Sequence, residues 1–187
     1  MNSLKACLLA AALCLFGCTT VRQLRDPSTL APTGRAERTR SDDALDYSIA
    51  TKIDASPETV WAILTDAASY REWNSSIVKL DGKIAFGSEI KLVSKVAPDR
   101  TFDLKVTTFD APKRLVWEDG GSMFLGVRTF TLMPGSEGTT IFAMSETLSG
   151  GMLGMIEGSL PDFTKSFEAF ASDLKKRAEN RTTTASL

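Results

Sequence analysis

The chain contains no histidine, so the commonest general base and the commonest metal ligand are missing together. Its three cysteines, Cys7, Cys14 and Cys18, all precede residue 19. The body therefore has neither a disulfide framework nor a cysteine nucleophile. These absences rule out a Ser-His-Asp or Cys-His constellation. No Gly-x-Ser-x-Gly elbow, Walker loop or paired-glycine nucleotide fingerprint occurs, and no carboxylates have metal-ligand spacing. No cofactor and no metal are implied. Charge of one sign is also lacking: 22 basic against 23 acidic residues leave a net charge of −1, which gives nucleic acid nothing to bind. The apolar run at 6–16, about eleven residues, is too short to span a bilayer as a helix, which takes roughly twenty.

What the first residues do have is the layout of a secretory signal over 1–17, with Lys5 ahead of the apolar run. The run ends in Leu15-Phe16-Gly17-Cys18, which resembles the bacterial lipoprotein lipobox, although Phe16 departs from the usual small or aliphatic choice. The resemblance implies lipidation of Cys18 and attachment to a membrane. With Thr19 rather than aspartate next, it implies the periplasmic face of the outer membrane in the bacterial cell envelope. An ordinary cleaved signal peptide is the alternative. Residues 18–44 are polar, carry Pro27, Pro32 and Gly34, and read as the lipidated N-terminus and a flexible linker. The arginines at 22, 25, 35, 38 and 40 would be solvated or touch anionic lipid heads.

From residue 45 the pattern is that of one domain reaching to 180, followed by a disordered tail at 181–187. Alternation over 46–53 predicts a strand, and Ser56-Pro57 opens a helix with Val60, Trp61, Ile63 and Leu64 on its buried side. A short second helix carries Tyr70 and Trp73. Strand-like runs follow at 76–80, 88–96, 101–109, 114–118, 127–133 and 139–148, separated by tight turns. The chain closes on a helix over 159–178 with Ser159 as cap and Pro161 in the first turn. Its stripe of Leu160, Phe163, Phe167, Phe170, Ala171, Leu174 and Ala178 needs a broad apolar surface to cover.

The run Ser56-Pro57-Glu58-Thr59-Val60-Trp61, with Leu64-Thr65-Asp66, Tyr70 and Trp73-Asn74, resembles the opening of the START-related (SRPBCC) superfamily. More narrowly it is similar to the polyketide cyclase/dehydrase-like branch. Gly82 and Gly87, the stretch 112–117, Gly138-Thr139-Thr140-Ile141 and the closing helix come in the expected order. Ser75 departs from it, since proline often follows the Trp-Asn pair. The resemblance implies an α+β helix-grip fold: a curved antiparallel sheet of about six or seven strands around a long C-terminal helix, enclosing a cavity for an apolar ligand.

Alternation puts Leu92, Phe102, Leu104 and Trp117 on apolar strand faces, and with Phe163 and Phe167 they are the candidate cavity walls. Trp73 is a candidate for the cavity mouth. The loop 149–159, with Met152 and Met155 among four glycines, reads as an adaptable lid or as a helical turn tucked onto the last helix. Arg128 shares a face with Phe130 and Leu132, which suits a ligand anion, a salt bridge to Glu146 or Asp119, or a solvated strand end. The expected function is membrane-tethered binding or transport of a hydrophobic small molecule or lipid. The alternatives are a cyclase- or hydrolase-like enzyme with Glu146 or Asp119 as base, and a protein-interaction module. The oligomeric state is open.

Overall fold

The computed structural model describes residues 27–185. The expected signal peptide and Cys18 lie outside the described residues. In chain order the elements are β1 (Glu37–Ser41), β2 (Ala44–Ile53), α1 (Pro57–Leu64), α2 (Tyr70–Trp73), β3 (Ile77–Asp81) and β4 (Glu89–Ser94). Then come β5 (Ala97–Asp110), β6 (Arg114–Gly121), β7 (Phe124–Pro134), β8 (Thr140–Ser149), α3 (Leu153–Ile156) and α4 (Thr164–Ala185). The strands form one antiparallel sheet in the order β1-β2-β8-β7-β6-β5-β4-β3, and α4 lies along it. This is the α+β helix-grip fold.

The sheet has eight strands, not six or seven, because β1 forms inside the stretch expected to be a linker. All five β1 residues are exposed, and they pair with β2 from Glu37↔Ser48 to Ser41↔Ala44. Glu-Arg-Thr-Arg-Ser has no apolar face to advertise a strand. An edge strand needs only backbone partners on one side, and its charged side chains discourage further pairing.

Ser56 caps α1, its hydroxyl accepting from Thr59 N–H at 3.3 Å, with Pro57 at the first helical position. Tyr70 is buried and donates from its hydroxyl to the Leu64 carbonyl at 2.6 Å, and burial pushes its pKa well up. Ser75 has a use that proline could not supply: its N–H donates to Asp173 Oδ2 on α4 at 2.7 Å. The neighbouring Asn74 accepts through Oδ1 from both the N–H and the hydroxyl of Ser76, at 3.0 and 2.7 Å, while its buried Nδ2 has no hydrogen-bond partner among the described residues.

The last helix begins later than its apolar stripe suggests. Pro161 holds Leu160 extended (φ −76°, ψ 138°), and Ser159 ends a separate 3₁₀ turn, Glu157–Ser159. Asp162 replaces Ser159 at the start of the helix, with Oδ1 accepting from Thr164 N–H at 2.9 Å and from its hydroxyl at 2.6 Å. At the other end α4 runs to Ala185, through residues expected to be tail. Phe167, Phe170, Ala171, Leu174 and Ala178 are buried against the sheet. Phe170 is the hub: it stacks on Phe142 at 6.3 Å and meets Phe130 and Trp73 at 5.7 Å. Burying each such ring contributes about 1.5–3 kcal/mol, so this aromatic cluster fixes α4 on the sheet.

Candidate functional site

Where α4 begins, the aromatic packing gives way to a cavity of about 290 Å³. One wall is the inner face of the sheet, with Leu92 from β4, Phe102 and Leu104 from β5, and Trp117 from β6. The opposite wall is the extended segment that Pro161 enforces, carrying Leu160 and Phe163. Phe124, at the start of β7, and Leu148 of β8 add to the apolar lining.

The orientation of β7 and β8, ambiguous in sequence, is settled by register. Arg128 faces Glu146 directly, and each also pairs across to the next strand, Trp117 and Tyr47 respectively. The Arg128 guanidinium donates through Nε to Glu146 Oε2 at 2.9 Å, with a second nitrogen on the same oxygen. It also lies 5.3 Å from the centroid of the Phe167 ring. Of the roles open to it, Arg128 takes the salt bridge to Glu146, on the cavity wall.

Asp119 stands beside this pair, opposite Gly126 in the ladder. A Cβ on Gly126 would lie 2.4 Å from Asp119 Oδ1, so the carboxyl occupies the space a side chain would take. Asp119 forms no ion pair among the described residues. Burial, with the Glu146 carboxylate nearby, raises its pKa above the ordinary carboxylate value, while Arg128 and Arg100 pull the other way.

Arg100 reaches the cavity through a bulge. The β4–β5 register steps from Val93↔Thr101 to Ser94↔Ala97, leaving Pro98, Asp99 and Arg100 unpaired. The Arg100 guanidinium then sits 4.4 Å over the Phe102 ring. The turn between β4 and β5 falls at Lys95-Val96, inside the run 88–96 expected to be a strand.

Of the residues expected around a ligand, Leu92, Phe102, Leu104, Trp117 and Phe163 meet at the cavity, and the others do not. Trp73 is packed inside, 4.7 Å from Tyr70 and 5.7 Å from Phe170, because the short α2 turns its indole toward the core. Phe167 is one helical turn too deep and packs between Tyr47 and Arg128. Met152 and Met155 stay outside the cavity since Leu153 is the side chain that α3 buries, and Met155 is 82% exposed. Sequence reasoning missed Arg100, Phe124 and Leu160 as wall residues. The bulge breaks the alternation around Arg100, and Leu160 has helical spacing to Phe163 although Pro161 forbids the helix there. That proline was the signal available.

The segment after β8 is strapped down at both ends. Met152 N–H donates to the Met123 carbonyl at 2.9 Å. Glu157 takes Arg38 at 3.0 Å and Arg40 at 2.8 Å, both from β1. The hydrogen bond from Arg40, then the charges of both arginines, lower the Glu157 pKa. The strap therefore contains the helical turn that was one of its two expected forms, and it leads straight into the cavity wall. Among the described residues no group of three or more Cys, Asp and Glu could hold a metal ion.

A family model described as polyketide cyclase/dehydrase and lipid transport matches residues 45–179. The chain belongs to this family. Solved structures with the same fold include a START superfamily protein from Mycobacterium smegmatis, 19% identical with a TM-score of 0.56, over 73% of this chain and 98% of that one. A protein of unknown function from Staphylococcus aureus, SA2116, is 12% identical with a TM-score of 0.59, over 79% and 98%. A Thalictrum flavum norcoclaurine synthase, a point mutant in complex with a transition-state analogue, is 14% identical with a TM-score of 0.59, over 77% and 99%. No curated protein matches the chain. The helix-grip fold of the family is one that binds hydrophobic ligands.

Proposed function

We propose that this family member binds and carries a hydrophobic small molecule in the cavity between the sheet and the 160–163 segment, while tethered to a membrane through lipidated Cys18. The observation that carries the reading is the cavity itself, with apolar side chains on two opposed walls instead of an interdigitated core. Removing a ligand's apolar surface from water there contributes roughly 25 cal/mol per Å² before ordering costs. At a water's share of about 30 Å³ per non-hydrogen atom, the space holds about ten such atoms. A small ring compound or a single short chain fits; a two-chain lipid would leave most of itself outside. The tether, and a place on the periplasmic face of the outer membrane, rest on the lipobox resemblance at Cys18.

Asp119 favours a second reading, in which the half-buried carboxylate acts as general base on the bound molecule. Native mass spectrometry of the full chain, extracted gently from membranes and offered an organic-solvent extract of cells that contains small apolar compounds as well as lipids, tests both. A reproducible added mass supports binding, and conversion of the bound molecule into a second mass supports the enzyme. A clean apo mass with no uptake overturns both readings. Cys18→Ser tests the tether separately: the chain should leave the membrane fraction, and its retention there would refute lipidation as the anchor.

A further inference from the structure

Three of the charged side chains at the cavity are one cation and two carboxylates: Arg128, Glu146 and Asp119. Arg128 and Glu146 satisfy each other, which leaves Asp119 as an acceptor without an ion-pair partner. Its place is held open by Gly126, where any Cβ would strike the carboxyl. The fourth charge, Arg100, is exposed and already stacked on Phe102. The cavity that the carboxyl shares includes four aromatic rings in its lining: Phe102, Trp117, Phe124 and Phe163. Two of the region's rings accept guanidinium cations, Phe102 that of Arg100 and Phe167 that of Arg128.

A carboxylate with no ion pair among the described residues, in a cavity that also holds aromatic rings, is suited to an ammonium group, which gains from the charge and from the ring quadrupoles at once. A ligand carboxylate would add a third anion beside two, while Arg128 is already paired with Glu146 and Arg100 is exposed and held over Phe102. We propose that the cavity is selective for an apolar amine: a compact body of about ten non-hydrogen atoms carrying one protonated amino group, seated on Asp119.

The inference rests on the ligand-binding reading, and its test separates the two. Three probes share one body and differ in head group: 4-phenylbutylamine, 4-phenylbutanol and 4-phenylbutyrate. Their dissociation constants for the full chain at pH 7 are measured by titration calorimetry. The amine should bind at least tenfold more tightly than the alcohol, with the carboxylate weakest. Asp119→Asn, which keeps the shape and removes the charge, should bring the amine down to the alcohol's affinity. Equal binding of amine and alcohol, tightest binding of the carboxylate, or an amine preference that survives D119N would each overturn the selectivity and leave hydrophobic binding standing. Failure of all three probes to bind would overturn both.

Discussion

Replacing Arg128 by methionine strands Glu146. The two side chains are only 17% and 12% exposed, so each charge has little water to fall back on. Removing one partner of such a pair costs about 3–5 kcal/mol, chiefly because the survivor remains buried and unpaired. For a domain of this size each kcal/mol moves the midpoint by about 2–4 °C, so R128M should melt roughly 6–20 °C below the parent. Methionine keeps an apolar chain over Phe167, which confines the loss to electrostatics. Two further measurements isolate the cause. Acidification, which neutralises the stranded carboxylate, should narrow the gap between R128M and parent. The double variant R128M/E146L, with neither charge, should recover most of the loss and could exceed the parent, as buried pairs replaced by apolar residues often do. Urea denaturation of the three proteins at pH 7 and pH 4 provides the free energies. If R128M lies within about 1 kcal/mol of the parent, or the double variant is no better than the single, the pair is not the buried unit argued for.

Asp119→Asn should stabilise the protein at neutral pH: a carboxyl whose folded pKa is raised is at its most favourable below its unfolded value of about 3.9, and its contribution is lost as pH rises through the folded value. The gain of D119N should therefore vanish below about pH 4, and a gain independent of pH would point to packing instead. Glu157→Gln weakens the bonds from Arg38 and Arg40, so amide exchange across 150–163 should quicken while the central strands stay protected. Unchanged exchange in E157Q would show the strap is held by Leu153 and its backbone contacts alone. Phe170→Ala should cost about 3–5 kcal/mol by opening a void among Phe130, Phe142 and Trp73, read from the urea midpoint.

The parts of the fold legible in sequence are those in which burial leaves a period. Alternation on β4, the Ser56-Pro57 start of α1 and the stripe from Phe167 to Ala178 all record which side faces the core. β1 was illegible because backbone pairing and polar side-chain contacts hold it, and neither leaves an apolar period in the sequence. The cavity was half legible for a related reason. Its sheet wall alternates like any core strand, so Leu92, Leu104 and Trp117 stood out. Its polar end is a matter of cross-strand register: nothing local in 119, 126, 128 and 146 says that they meet. Trp73 misled because an indole suits a cavity mouth and a core equally well, and only the direction of α2 decides.

The position of β2 in the sheet sets the order in which the molecule can be made. One neighbour, β1, lies just before it in the chain; the other, β8, is synthesised roughly a hundred residues later. A chain growing from its N-terminus thus carries β2, one of its most apolar strands, with an open edge until β8 has emerged, and such edges invite wrong pairing. Cavity, strap and closing helix all follow that last pairing, so the binding site cannot exist in any nascent fragment, and products truncated before residue 140 are the ones that should aggregate.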